Sequence, residues 1–340
     1  MAPPDVAPLE NILQNTIENL MVAEQQLRDK GDEYRAEENF DLEKFWKNIK
    51  VISQKLSFEC SKICICFSQY PVPSASETSS LMTSLEQAVL SLVSACYGLP
   101  PACGKCLRDN VQYGILRAIQ STRQLLKIIK DEGGEAMAAR YRQSTGIVWQ
   151  GCDKLEKCPR DNKATVLMEL RGQNALVSDA FDEIAEALKG DGSGWNNLGD
   201  EEEDMEDEED EKWSNEDKDL IGPSVNLIKA AKILYKRVID AVERNGSSDT
   251  HQAIKELDQL HGDCKMVSKT IDTLILELYP PLNVVNMEEQ SHHLASLLKT
   301  AMKTCAQTHI ATEAEQPQLE FITKAIDHNL DRMKEKLSQR

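Results

Sequence analysis

The stretch DTHQAIKELDQLHGDCKMVSKTIDTLILELY, residues 249–279, decides the fold class. Ile254, Leu257, Leu260, Cys264, Val267, Ile271, Leu274 and Leu278 recur three or four residues apart. That period lines up side chains on one face of an α-helix, whereas a strand alternates every second residue. Lys255, Glu256, Asp258, Asp263 and Lys265 fill the intervening positions, as suits a helix with one face in water. Pro280 and Pro281 end it, because proline removes a backbone donor and clashes with the preceding turn.

The same period extends in both directions. Upstream, Ser214 and Asp217 form a capping-box pattern that starts a helix running to about Arg244, closed by Asn245-Gly246. Before it, Pro159 opens a helix whose apolar face is Val166, Leu170, Val177, Phe181, Ile184 and Leu188. Five more helices precede Pro159. The first runs from about Leu9 to Lys30, with Met21 counted on its stripe and Gly31 as its stop. The second runs from Asp41 to Gln69 through Phe45, Ile49, Ile52, Leu56, Ile63 and Phe67. The third covers Ser76 to Tyr97, and the fourth runs from Lys105 to Lys130 before Gly133-Gly134. The fifth spans Glu135 to Lys157, with a middle weakened by Ser144, Thr145 and Gly146. Downstream, helices are predicted over Met287 to Ile310 and Gln318 to Leu337.

Ten helices and no convincing strand predict an all-α fold. Gly and Pro number only 16 and 12 in 340 residues, too few for the turns of a sandwich or barrel. Long helices joined by short turns predict antiparallel up-and-down bundles. A chain of this length suits two cores. The expected division is an N-terminal bundle over 1–158 and a C-terminal bundle over 159–340. A boundary at the acidic run, or a sixth helix shared by both bundles, stays open. Aromatics are only 5% of residues, so aliphatic side chains must fill the cores.

The acidic run is Asp200, Glu201, Glu202, Glu203, Asp204, Met205, Glu206, Asp207, Glu208, Glu209, Asp210 and Glu211. Eleven carboxylates repel one another and bury nothing, so 190–212, which also holds four glycines, is expected to be a disordered loop. It is either a solvated linker or a lure for a basic partner segment. Ser214, followed by Asn215, Glu216 and Asp217, also has the look of an acid-directed phosphorylation site beside its simpler role as a cap.

The formal charge of −18 excludes direct nucleic-acid binding, which needs clustered Lys and Arg to displace counterions, and disfavours an anionic membrane. No run of about 18 apolar residues predicts a transmembrane helix. Met1 to Leu9 is proline-rich without an apolar h-region, so no secretory signal is expected. The chain is then expected in cytoplasm and nucleus, with its ten cysteines reduced.

Catalytic signals are weak. Cys103-Gly-Lys-Cys106 has the spacing of half a zinc site or a redox pair, but Cys152 and Cys158 do not match it, and no strand precedes it. The histidines, His251, His261, His292, His293, His309 and His328, form no metal or triad motif. The chain contains no phosphate-binding glycine loop. No catalytic residue, cofactor or metal is therefore assigned. An interaction surface needs apolar residues off the core stripes, and Phe40, Trp46 and Phe58 qualify, since they lie off the Phe45–Ile49–Ile52 line.

Several stretches, taken in order, carry a resemblance: Phe67-Ser-Gln-Tyr-Pro-Val-Pro73, Pro159-Arg-Asp-Asn-Lys163, Trp213-Ser214 before Asp219-Leu-Ile221, Tyr279-Pro-Pro281, and Ala325-Ile-Asp-His328 with Arg332 and Lys334. Together they resemble the cyclin-D-interacting protein family over nearly the whole chain. The resemblance implies helical bundles similar to those of talin and the vinculin group. It implies a non-enzymatic regulator of the cell cycle that binds D-type cyclins and reduces phosphorylation of the retinoblastoma protein. It also implies binding to a Grb-related signalling adaptor and to helix-loop-helix transcription factors. Cys103-Cys106 and the compact acidic run depart from the family pattern. The residues themselves leave two other readings: an acidic chaperone for basic proteins, and a cytoskeletal helical-bundle scaffold.

Overall fold

The computed structural model describes residues 6–29, 40–131, 137–189, 213–312 and 316–339. Among them are ten α-helices, one short 3-10 turn and no strand, so the chain is all-α as its periodicity dictates. They are α1 Val6–Arg28, α2 Leu42–Phe67, α3 Ala75–Gly98, α4 Lys105–Asp131 and α5 Ala138–Glu156, followed by α6 Asn162–Lys189, α7 Asn215–Asn245, α8 His251–Leu276, α9 Val284–Gln307 and α10 Gln316–Ser338. The 3-10 turn, Pro101–Cys103, leads into α4. The stop signals at Gly31 and Gly133-Gly134, and the whole of 190–212, lie outside the described residues.

Side-chain caps set most of the starts. Asp41 accepts from the Lys44 N–H at 3.0 Å before α2, and Ser74 forms a capping box with Glu77 before α3. Thr250 and Asn283 cap α8 and α9 in the same way. Such a bond satisfies a donor the helix leaves orphaned and stabilises it by about 1 kcal/mol. Three expectations need correction. The sixth helix starts at Asn162, not at Pro159, because the Asp161 carboxylate accepts from the Ala164 N–H at 2.8 Å and fixes the first turn there. The middle of α5 is unbroken, since Thr145 turns its hydroxyl back to the Tyr141 carbonyl at 2.8 Å and both residues are buried. Met21 points outward and is half-exposed, one position past the buried Leu20.

Contacts divide the chain into two compact units, Met1–Thr165 and Val166–Arg340. In the first, α1 packs on α3 and α4, α2 packs on α3 and α5, and α4 packs on α5. Bonds between them fix their directions. Asn19 meets Glu86 and Tyr97 donates to the Gln26 carbonyl, so α1 and α3 run the same way. Gln112 reaches the Leu27 carbonyl and Lys130 reaches Gln14, so α1 and α4 run oppositely. Fully buried Leu13, Ile49, Leu56, Leu85, Leu92, Ile115, Leu126 and Val148 fill the interior. Truncating any such leucine to alanine costs about 2–5 kcal/mol. A partly buried ion pair, Arg123 to Glu24 at 2.5 Å, ties α4 to α1.

In the second unit α7 packs on α9 and α10, and α8 packs on α9. Side-chain bonds tie α6 to α7 through Asp182 with Lys232, and to the turn after α8 through Glu183 with Tyr279. Within the core the Tyr235 hydroxyl donates to the Cys264 carbonyl at 2.5 Å, and Ser224 pairs with Ser291 at 2.8 Å. Burial of Tyr235 pushes its phenol upward, so it stays a neutral donor.

Candidate protein-interaction surface

The sequence singled out four sets of residues, and the fold treats them differently. Cys103 ends the 3-10 turn and Cys106 lies in the first turn of α4, buried. Burial pushes the Cys103 thiol up to about 11, so it stays a protonated, core-facing group, poor as nucleophile or metal ligand. None of the ten cysteines is in a disulfide. Between the two cysteines Gly104 adopts φ 100°, and a Cβ there would lie 2.2 Å from Asn162. Asn162, itself buried, accepts from the Leu107 N–H at 3.0 Å. It thus caps α4 from a distant part of the chain, in place of the side chain glycine lacks.

Of the histidines, His309 serves as a connector. His309 turns Nδ1 to Glu256 Oε2 at 2.8 Å and takes the Ser247 N–H on Nε2 at 3.1 Å. Among the described residues no three His, Cys, Asp or Glu side chains converge as a metal site. The acidic run from Asp200 to Glu211 lies outside the described residues. Ser214 accepts from the Asp217 N–H at 3.0 Å and donates to its carboxylate at 2.8 Å, the expected cap of α7. Its side chain is exposed.

Of the three aromatic candidates only Phe58 faces water, at 63% exposure. Phe40 is partly buried against Phe45, and Trp46 is buried. The Trp46 indole donates to the Arg160 carbonyl at 2.8 Å, and the Arg160 guanidinium stacks over its ring at 4.6 Å. A cover from outside the helix is invisible to helical periodicity. Beside this pair lies an open cleft of about 500 Å³ floored by Trp46 and edged by Lys47, Lys50 and Asp161. Most of its polar groups are engaged. Lys47 pairs with Glu43, Asp161 caps α6, and Arg160 donates to the Glu156 carbonyl. Lys50, also on its rim, pairs with no carboxylate among the described residues.

The outward face of α2 is different. Val51, Phe58 and Ile65 are all more than half exposed, one every seven residues, and so lie along one line. Trp149 of α5 stands beside them, its indole donating to Ser61 at 3.0 Å. Nothing on this face activates a nucleophile; what it offers is apolar area to another surface. Sequence reasoning found Phe58 and missed its two companions, although their spacing was legible.

The N-terminal profile described as Grap2 and cyclin-D-interacting matches residues 48–190, and the C-terminal profile of that description matches 198–303. The chain belongs to the Grap2 and cyclin-D-interacting family. The cyclin-D1-binding protein 1 homolog of Xenopus laevis is 31% identical over 95% of this chain and 97% of its own length. That of Danio rerio is 30% identical over 95% and 94%, and cyclin-D1-binding protein 1 of Homo sapiens is 28% identical over 90% and 88%. In this member of the family, the stretches around Pro71, Pro159, Trp213 and Pro280 sit at joints between helices, whereas Ala325–His328 lies within α10. Arg160, Asp161 and Asn162 make the contacts just described. Trp213 donates to the Leu278 carbonyl at 2.8 Å and stacks on Tyr279 at 5.4 Å.

Proposed function

We propose that the chain is a non-enzymatic binding protein for D-type cyclins. By occupying the cyclin it would restrain cyclin-D-dependent kinase signalling and retinoblastoma-controlled transcription. The observation that carries this reading is end-to-end similarity, 95% of this chain, to proteins named for binding cyclin D1. The exposed apolar line on α2 is consistent with it. Purified full-length protein titrated with a D-type cyclin should bind saturably in calorimetry. Absence of saturable binding to any D-type cyclin, by a protein of native helicity, overturns the reading.

Finer parts of the proposal rest on the family resemblance. They are binding to helix-loop-helix transcription factors and to a Grb-related adaptor, and residence in both cytoplasm and nucleus. A role for the run from Asp200 to Glu211 in attracting a basic partner segment rests on its eleven carboxylates. The same charge supports a second reading, an acidic chaperone for basic proteins. Deleting 200–211 abolishes that activity and spares cyclin binding if the two are separate. Ser214 is proposed as a phosphorylation site because it is exposed and followed by acidic residues. A phosphate there would replace the hydroxyl that now caps α7.

A further inference from the structure

The exposed face of α2 carries charge as well as apolar surface. Val51, Phe58 and Ile65 are 63%, 63% and 59% exposed. At a rise of 1.5 Å per residue they stand about 10 Å apart, over about 21 Å. Lys44 lies on the same line one heptad before Val51, and Lys55 follows Val51 by four residues, also exposed. Lys62 follows Phe58 in the same way and shares its ammonium with Glu59 at 3.0 Å. Alternate steps of four and three are the spacing at which one helix presents a seam to another. Five lysines and two glutamates make up the charge of α2, in a chain of net charge −18. Glu59 is buried and Glu43 is taken by Lys47, while among the described residues no carboxylate pairs with Lys44, Lys50 or Lys55. The sign of the charge is therefore reversed locally, along the line that also exposes apolar side chains.

We propose that the outer face of α2 docks an amphipathic, acidic helix from another protein. Apolar residues of that helix at heptad spacing would pack on Val51, Phe58 and Ile65, and its flanking Glu or Asp would meet Lys44 and Lys55. The proposal goes beyond the cyclin reading, which names no surface. A second copy of α2 is a poor occupant, because it sets lysine against lysine. An anionic bilayer fits less well too, since three side chains in single file offer it little area and the rest of the chain repels it.

The test uses the full-length protein and two labelled helical peptides of about 28 residues, four heptads. Both carry leucine on the apolar seam; one is flanked by glutamate, the other by lysine. Fluorescence anisotropy should show saturable binding of the glutamate peptide, weaker at high salt; in the chain lacking 200–211, which would itself hold a basic peptide, the lysine peptide should not bind. Phe58→Asp should weaken it about tenfold or more. The pair Lys44→Glu and Lys55→Glu should exchange the preference and bind the lysine peptide, a gain that a misfolded protein does not produce. Unchanged affinity in Phe58→Asp, or no exchange of preference, overturns the proposal. So does binding to phosphatidylserine vesicles, or dimerisation, if Phe58→Asp abolishes it while peptide affinity holds. Cyclin binding that survives in Phe58→Asp while peptide binding is lost places the cyclin elsewhere and leaves the seam standing.

Discussion

Gly104 and Asn162 act together. At φ 100° an L side chain is strained, and the Asn162 amide occupies the space a Cβ would need. Gly104→Ala should cost roughly 2–4 kcal/mol, combining backbone strain with loss of the cap on Leu107. Asn162→Ala alone should cost about 1 kcal/mol. Once Asn162 is removed, Gly104→Ala should cost about 1 kcal/mol less than it does in the parent, because the clash is gone and only the strain remains. Urea unfolding of the two single variants and the double variant reads this coupling; strict additivity refutes it. The sequence drew the eye to the flanking Cys103 and Cys106 because CxxC spacing is recognisable. The residue that matters lies between them, and its reason comes from Asn162, which no local window contains.

Helices were legible because a buried face imposes its period on every turn, and the stripes of α2 and α8 run through buried positions. Joints were not, since Trp46 is covered by Arg160 and α4 is capped by Asn162, both from beyond the helix concerned. The outer line of α2 was half legible: once the core face is known, the opposite face follows, but exposure itself is a property of the folded unit. The α8–α9 joint carries a pH dependence. Burial alone would raise the Glu256 carboxyl, but bonds from Gln252 and from the His309 backbone and ring outweigh it and hold it below its ordinary 4.5. A carboxyl depressed in the fold stabilises above its unfolded pKa, and that contribution is lost as pH falls through the folded one. Glu256→Gln should therefore cost about 1 kcal/mol at neutral pH, and the gap between variant and parent should close below pH 4.5. Thermal melts of both proteins across that range check it; a gap that persists in acid counts against the pairing.

At the scale of the molecule, two domains divided near Pro159 are a proposal with a direct test. Residues 1–158 and 159–340, expressed apart, should each unfold cooperatively, and failure of both to fold refutes the division. The cut at 158 removes Arg160 and Asn162 from the helices they serve. A fragment of 1–165 should therefore be more stable than 1–158 by roughly 2 kcal/mol, from the lost cap, the indole bond and the guanidinium stacked on it. Equal urea midpoints for the two fragments would show those contacts to be idle. The acidic run was the plainest feature of the sequence, yet its role depends on a partner, and charge alone selects no single one.

Cys60 and Cys264 lie buried, one in each unit, and burial raises both thiols, Cys60 to about 12. A thiol must ionise to react, so neither is touched while its surroundings stay closed. Each half of the chain thus contains a natural stopwatch: the pace at which a small alkylating reagent marks Cys60 times the breathing of one half, and the pace at Cys264 times the other.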